Sequence, residues 1–462
     1  MSLLRKKSID AMVGQSASRT DLKKVLGATD LVMLGLGAMV GTGIFVISGI
    51  GATRAGPALT LAFLLAAAAC ALAALCYAEF ASMIPVAGSS YTYAYGTIGE
   101  VVAWVIGWSL IAEYGLATAA VSAGWSGYFQ SLLAGFGVHL PTALTAAPGA
   151  GEGATLFNLP AFVIMMMITA LLSLGIRESK RINNLMVLIK VAVVLLFIVV
   201  GFLRVEPANW QPYAPFGLQG VISAGALMFF AFLGFDAVSS AAEEARDPQR
   251  TLPIGLMGSL GICALLYVAV AAVCTGVVPY MDFEGVDNPI SMVMARADIE
   301  WLRGFIDLAA VLGMMTVILV MAYGLTRIVF AISRDGLLPQ WLSRVSKKTQ
   351  VPVASTWALG TLGALLAGLI PLTTLAELIN MGTLVAFTVI AIAIPVLRKT
   401  RPDLPRAFVC PGSPILPIAS VLISLLLMFN LALETWVAFG IWLLLGLVVY
   451  FGYSRRHSRL ND

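Results

Sequence analysis

Charged side chains are scarce in this sequence of 462 residues. Asp, Glu, Lys and Arg make up 11% of it, while 60% of the residues are hydrophobic. Soluble domains carry about 25% charged residues, so a soluble fold would leave a large apolar surface in water. The short alternating segments of a porin-like barrel are also missing. The composition therefore indicates a helical integral membrane protein.

Histidine and catalytic motifs are sparse as well. His139 and His457, the two histidines, fall in a loop and in the tail, and neither HExxH nor GxSxG occurs. We therefore expect no enzyme, no cofactor and no metal site. The five cysteines lie in apolar segments or at a loop edge, which indicates packing and no disulfide or zinc framework. The deep charges are too few and unrepeated for the filter ring of a channel, and no receptor signature is present.

Apolar runs of about 20 residues are what the sequence has in abundance, and each predicts a membrane-spanning helix. We number them spans 1 to 12, at about residues 30–54, 57–84, 98–132, 159–175, 182–203, 217–242, 251–279, 303–333, 353–370, 374–397, 413–430 and 434–453. A basic arm, residues 1–29, precedes them, and a short tail, residues 454–462, follows. Because polar, basic residues precede the first run, no cleavable signal peptide is expected.

The basic residues predict the orientation of the chain. With the N-terminus inside, all but five of the 28 lysines and arginines fall on the inner side. Arg54, Arg204, Arg296 and Arg303 fall outside, and Lys190 lies within span 5. Positive residues concentrate on the cytoplasmic side of membrane proteins, so both termini are predicted to be cytoplasmic.

Two of the spans carry residues that interrupt a helix. Gly35–Phe45 reads GLGAMVGTGIF and Phe229–Ser240 reads FFAFLGFDAVSS; each glycine weakens a helix by about 1 kcal/mol relative to alanine. Interrupted spans at corresponding positions of two halves are typical of transporters built from inverted repeats. The unwound backbone and the helix ends, about half a charge each, suit a zwitterionic amino acid. The alternative is that the glycines only permit close helix packing.

Four charges lie deep enough to be discussed as functional hypotheses, because a charge at bilayer depth costs about 2.5–3.5 kcal/mol on insertion scales. Lys190 in span 5 is removed from water, which favours proton exchange near neutral pH; the alternative is a permanently charged, paired lysine. Asp236 lies in the span 6 interruption, where it could also be a helix N-cap. Glu113 lies midway along span 3, where a structural hydrogen bond is the alternative. Glu79, near the inner end of span 2, could simply reach the interface.

The inner loops carry a further set of charges. They follow spans 6 and 8 and are predicted to form a gating network of ion pairs, or else to be solvated: Glu243, Glu244, Arg246, Arg334 and Asp335.

Four stretches, read together, resemble the amino acid–polyamine–organocation superfamily, and within it the bacterial relatives of cationic amino acid transporters. They are LGATDLVMLGLGAMVGTGIFVISG, CYAEFASMIPVAGSSYTYAY, FFAFLGFDAVSSAAEEARDPQRTLPIG and TRIVFAISRDGLLP, in that order. The resemblance implies the leucine-transporter type of fold, with five spans, five inverted spans and two further helices. Repeat 1 is then residues 30–203, repeat 2 is residues 217–397, and spans 11 and 12 occupy residues 413–453.

The resemblance also implies where a substrate binds. Its carboxylate would meet Thr42, Gly43 and Ile44 in span 1, and its ammonium would meet carbonyls of Met39, Phe230, Ala231 and Leu233. Its side chain would project toward spans 3 and 8, where Met321 favours small or neutral side chains over a long cationic one and Glu113 favours cationic ones. The ammonium of Lys190 would stand in for the sodium ion of sodium-coupled relatives, holding the interrupted part of span 1 against span 8.

The predicted function is therefore secondary active transport: a proton-coupled L-amino acid symporter that works by alternating access. An amino acid or amine exchanger that does not use the proton gradient is the alternative. The expected partners are the amino acid, the proton and the lipid bilayer, with no nucleic acid; a small membrane partner and the oligomeric state stay open. The resemblance implies a bacterial cytoplasmic membrane.

Overall fold

The computed structural model describes residues 5–7, 26–83, 89–150, 153–175, 180–349, 351–404 and 406–461. Most of the predicted basic arm lies outside these residues. Within them the chain is built from α-helices, short 3₁₀ turns and two π turns, and the β pairing consists of one isolated bridge between Leu26 and Ala245. The all-α prediction is confirmed.

Seventeen α-helices follow one another along the described chain. In order they are α1 Ala28–Met39, α2 Ser48–Ala55, α3 Leu59–Met83, α4 Ser89–Thr97, α5 Glu100–Gly135, α6 Leu159–Ser173, α7 Lys180–Phe202, α8 Gly217–Met228, α9 Ala237–Ser240, α10 Pro248–Val277, α11 Pro289–Arg296, α12 Glu300–Arg334, α13 Val353–Leu369, α14 Leu372–Thr400, α15 Ile415–Met428, α16 Leu433–Val449 and α17 Arg455–His457.

Helical structure overlaps every predicted span, and the helix ends fall within a few residues of the predicted limits. Among the described residues, eight helical stretches are long and apolar enough to cross a bilayer. Four further apolar helices, α1, α6, α13 and α15, are shorter. The number of crossings and the division into two repeats therefore stay predictions.

Apolar surface faces outward as well as inward, as expected for a protein surrounded by lipid. On α16, exposed apolar side chains recur every three to four residues along one face: Leu433, Val437, Ile441, Leu444 and Val448. That spacing places them on a single stripe of the helix. In water such a stripe would be covered by other elements, whereas in a bilayer it contacts acyl chains.

Small residues allow the interior helices to approach closely. On α3 a stripe of alanines is fully or almost fully buried: Ala62, Ala66, Ala69 and Ala73. The most extensive contact of α3 is with α10, and α10 also packs on α1. Close approach through small residues is the usual way that membrane helices gain van der Waals contact. The longest helices, α5 and α12, form the largest helix–helix contact and border the site described below.

Candidate functional site

Span 1 is interrupted as predicted. Helix α1 ends at Met39, and helical structure resumes in the π turn Gly43–Ile47. The carbonyl of Gly41 accepts the N–H of Ile44 at 3.2 Å, which starts the second half. Among the described residues, no carbonyl accepts a hydrogen bond from the N–H groups of residues 41–43. The unpaired N–H groups at a helix start form an anion-binding end.

Span 6 is interrupted at the corresponding position. Helix α8 passes into the 3₁₀ turn Phe229–Phe232, and Leu233 then adopts an extended conformation with ψ of 145°. Gly234 follows with φ of +99°, a backbone conformation that other residues rarely adopt. Helical structure returns at Ala237. The glycine therefore makes this backbone conformation possible.

The two interruptions touch each other through their main chains. A Cβ atom on Gly43 would collide with the Cα of Ala231. A Cβ atom on Gly234 would lie 2.8 Å from the Cβ of Ala38 and 2.8 Å from the Cε of Met321. Glycine is therefore required at both positions for this packing, and five residues from three predicted spans meet in one place.

All of the predicted substrate residues are buried at this junction. Their exposed fractions are 2% for Met39, 1% for Thr42, 0% for Ile44, 6% for Phe230, 1% for Ala231, 7% for Leu233 and 5% for Met321, and Gly43 is buried too. Several of their polar atoms already have protein partners. The Thr42 hydroxyl donates to the Met314 Sδ at 3.3 Å, and the Phe230 carbonyl accepts the Leu233 N–H at 3.2 Å.

Lys190 lies on α7 and contacts α1 and α12. Its Nζ donates to the carbonyl of Gly37 at 3.1 Å, two residues before α1 ends. A Cβ atom on Gly313 of α12 would lie 3.0 Å from the Lys190 Cε. The side chain is 1% exposed, so it does not extend to the membrane surface. The ammonium thus touches the end of the first half of span 1 while its stem packs on span 8.

Asp236 and Glu113 lie on the same side of the junction. Asp236 precedes α9 but its side chain makes no cap hydrogen bond to that helix. Its Oδ2 accepts instead from the hydroxyl of Tyr114 at 3.3 Å. Glu113, the neighbour of Tyr114 on α5, is 5% exposed. We call these two buried carboxyl groups, one in predicted span 3 and one in predicted span 6, the acidic pair.

Two tyrosines at this site were not identified from the sequence. The Tyr267 hydroxyl of α10 donates to the Met39 carbonyl at 2.8 Å, and the Tyr128 hydroxyl of α5 donates to the Phe45 carbonyl at 2.6 Å. Buried tyrosines require a partner for the hydroxyl. The signal available in the sequence was the presence of a tyrosine inside an apolar span.

The inner-loop charges find partners on other elements. The Glu244 carboxylate lies 3.9 Å from an Arg327 guanidinium nitrogen, and Asp335 lies 3.1 Å from the Lys7 Nζ. The side chain of Glu243 lies outside the described residues. The charges after spans 6 and 8 therefore pair with α12 and with the N-terminal segment.

Main-chain pairing joins the N-terminal segment to the end of span 6. The Leu26 N–H donates to the Glu244 carbonyl at 3.0 Å, and the Arg246 N–H donates to the Leu26 carbonyl at 3.0 Å. The Arg334 guanidinium lies 6.0 Å from the centroid of the Phe330 ring. A strand-like main-chain contact thus joins the N-terminal segment to the end of span 6. The sequence predicted only side-chain charges at this place.

Both termini converge on Glu100 at the start of α5. This fully buried carboxylate accepts from Arg5 at 3.0 Å, Tyr450 at 2.8 Å, Ser458 at 2.6 Å and Tyr95 at 3.2 Å. Burial and the neighbouring Glu100 charge raise the pKa of Tyr95, which keeps its hydroxyl a donor. Four donors compensate for the removal of the carboxylate from water.

Glu79 is paired inside the protein. It is fully buried and accepts from the Arg398 Nε at 3.0 Å and from the Cys410 N–H at 2.8 Å. Arg406 lies 3.4 Å away. The carboxylate therefore ties α3 to the end of α14 and to the loop before α15, remote from the interruptions along the sequence.

Comparison with known proteins agrees with this architecture. Residues 26–452 match the family described as amino acid permease. The branched-chain amino acid permease BcaP of Bacillus subtilis (strain 168) is 58% identical over 462 residues, which covers 100% of this chain and 99% of that protein. The methylthioribose transporter of the same organism is 50% identical over 461 residues, with the same coverage. Human cationic amino acid transporter 4 is 30% identical over 97% of this chain and 89% of its own length.

The apolar helices, the family match and the relatives named as permeases and transporters identify a multi-pass membrane transporter, not an enzyme. The chain belongs to the amino acid permease family of the amino acid–polyamine–organocation superfamily. This confirms the resemblance drawn from the four sequence stretches.

Proposed function

We propose that this protein is a proton-coupled symporter of a neutral, branched-chain L-amino acid. The observation that carries the proposal is the contact of the Lys190 ammonium with the Gly37 carbonyl beside the interrupted part of span 1. A protonated lysine holds that carbonyl and packs against Gly313 of α12. When the lysine loses its proton, the attraction weakens and the first half of span 1 is free to move. Protonation is thereby linked to the alternating exposure of the site.

The two interruptions supply complementary ends for a zwitterion. The unpaired N–H groups of residues 41–43 suit a carboxylate, with Thr42, Gly43 and Ile44 as its contacts. The substrate ammonium meets the carbonyls of Met39, Phe230, Ala231 and Leu233. Because the Phe230 and Met39 carbonyls each have one protein donor, the substrate uses the second lone pair of each.

The apolar side chains around the junction favour a branched aliphatic substrate. Met321 reaches Gly234, the turning point of span 6, and Phe230 and Leu233 are buried beside it. A long cationic side chain would have to pass this apolar surface to reach Glu113. The name of the Bacillus subtilis relative with 58% identity points the same way.

The acidic pair completes the proposed coupling route. Glu113 and Asp236 are buried together, with the Tyr114 hydroxyl on Asp236. Either carboxyl group is proposed to carry the coupled proton. We also propose twelve crossings of the bacterial cytoplasmic membrane, two inverted repeats at residues 30–203 and 217–397, and cytoplasmic termini, supported by the distribution of basic residues.

Proteoliposome uptake tests this function. Valine uptake is measured with and without an inward proton gradient for the wild type, for Lys190→Ala and for Lys399→Ala, a matched lysine at an exposed position near the end of α14. The gradient is expected to stimulate uptake by the wild type and by Lys399→Ala, but not by Lys190→Ala. Uptake that does not depend on the proton gradient and requires internal amino acid would show that the protein is an exchanger.

Competition with unlabelled compounds defines the substrate class. Leucine and isoleucine are expected to compete with valine, and arginine is not. Methylthioribose, named for the relative with 50% identity, lacks the carboxylate and ammonium that the two interruptions accommodate, so it is expected to compete poorly. Strong competition by methylthioribose or arginine would overturn the proposed substrate class.

A further inference from the structure

Tyr267 contacts both interrupted spans at once. Its hydroxyl donates to the Met39 carbonyl at the last residue of α1. Its ring packs against Phe232 of the span 6 interruption, with ring centroids 5.1 Å apart, and against Phe63 of α3 at 5.6 Å. The side chain is fully buried. One residue of α10 is therefore fixed to the main chain of one interruption and to a side chain of the other.

We infer that Tyr267 is a positioning residue for recognition of the substrate ammonium. The inference rests on the proposed function, in which the Met39 carbonyl accepts from that ammonium. A carbonyl where a membrane helix stops loses its intrahelical donor and needs another. The Tyr267 hydroxyl supplies that donor to one lone pair and fixes the direction of the carbonyl, which leaves the other lone pair for the substrate.

Removing the hydroxyl frees the carbonyl to turn toward another donor. The substrate ammonium then has to restore the binding orientation, and affinity falls. The effect belongs to the ammonium alone, because the carboxylate contacts the N–H groups of residues 41–43 on the far side of the interruption. An analogue without the ammonium should therefore not respond to the loss of the Tyr267 hydroxyl.

Tyr128 provides a matched control. It is also fully buried, and its hydroxyl also donates to a span 1 carbonyl, that of Phe45 at 2.6 Å. Phe45 lies in the second half of span 1, inside the π turn and away from the predicted ammonium contacts. Tyr128→Phe and Tyr267→Phe thus remove the same group from the same kind of contact on opposite sides of the interruption.

The experiment compares valine with the carboxylic acid that lacks its amino group. In proteoliposomes, the KM and maximal rate for valine and the inhibition constant of 3-methylbutanoate are measured for the wild type, Tyr267→Phe and Tyr128→Phe. A neutral hydrogen bond contributes about 1 kcal/mol net, or roughly fivefold in affinity. Tyr267→Phe is expected to raise the KM for valine about three- to tenfold, with a maximal rate near that of the wild type. Its inhibition constant for 3-methylbutanoate should stay unchanged.

The ratio of the KM for valine to the inhibition constant of the analogue decides the outcome. In Tyr128→Phe the preference for valine over 3-methylbutanoate is expected to equal that of the wild type, whatever happens to the rate. An equal loss of that preference in both variants, an unchanged or lower KM in Tyr267→Phe, or a parallel loss for both ligands would overturn the inference. Failure of the proposed function is distinguishable, because the wild type would then not transport valine.

A second measurement applies where Tyr267→Phe does not fold. 3-Fluorotyrosine is incorporated at position 267, and separately at position 128, and the fluorine resonance is recorded in detergent. Valine is expected to shift the signal at 267 but not at 128, and 3-methylbutanoate to shift neither. A resonance at 267 that does not move with valine would overturn the inference.

Discussion

Gly43→Ala is the substitution whose effect on transport the structure predicts most specifically. A Cβ atom at residue 43 would lie 2.6 Å from the Cβ of Ala231 and closer still to the Cα of Ala231. Ordinary contacts begin at 3.4 Å, so the two interruptions would have to separate by about 1 Å. Overpacking of this kind costs about 1–3 kcal/mol, and a displacement of about 1 Å at a reacting site can cost about 100-fold. We expect transport at about a hundredth of the wild-type rate.

The assay separates loss of transport from loss of the protein. Valine uptake is measured alongside thermal unfolding in detergent for Gly43→Ala and for Gly261→Ala, whose added Cβ meets no atom within 4 Å. The control is expected to transport normally and to be as stable as the wild type or slightly more so, because alanine favours the helix. Ala231→Gly should not rescue Gly43→Ala, since the Cα of residue 231 remains in place. Wild-type uptake by Gly43→Ala would refute the proposed contact between the interruptions.

Three further substitutions test other parts of the structure. Glu79→Ala leaves the Arg398 guanidinium without its carboxylate, and we expect it to destabilise the protein by about 3 kcal/mol, seen as a lower melting temperature in detergent; no change would contradict the described ion pair. Ser458→Ala removes one of the four donors to Glu100 and should lower the free energy of unfolding by about 1 kcal/mol, measured in the same assay. A loss of stability as large as that of Glu79→Ala would show that the tail stabilises the protein by more than this one hydrogen bond. Met321→Ala enlarges the apolar side of the site, so competition assays should show phenylalanine gaining on valine; an unchanged ranking would place the substrate side chain elsewhere.

The positions of the helices were predictable because their driving force is local to the sequence. A run of about 20 apolar residues cannot remain in water, and in lipid it must satisfy its backbone by helix formation. The interruptions were visible for the same reason: GLGAMVGTGIF and FFAFLGFDAVSS contain residues that weaken a helix at bilayer depth. Composition and the positions of the glycines were therefore enough to predict where the helices and the two interruptions lie.

The partners of buried polar groups could not be predicted, because they come from residues far apart in the chain. Glu79 looked close enough to the interface to be solvated, yet it pairs with Arg398, more than 300 positions later. Tyr267 reaches Met39 across 228 positions. Local sequence does not encode which distant group will meet a carbonyl or carboxylate. Such contacts depend on the assembled bundle.

The link between proton and substrate is the central claim, and valine-driven proton entry tests it most directly. Proteoliposomes containing a trapped pH-sensitive dye receive valine outside with no initial pH gradient. The wild type is expected to acidify the lumen as valine enters, whereas Lys190→Ala is expected to leave the internal pH unchanged. Valine entry into wild-type vesicles without a change of internal pH, or acidification that persists in Lys190→Ala, would contradict the account.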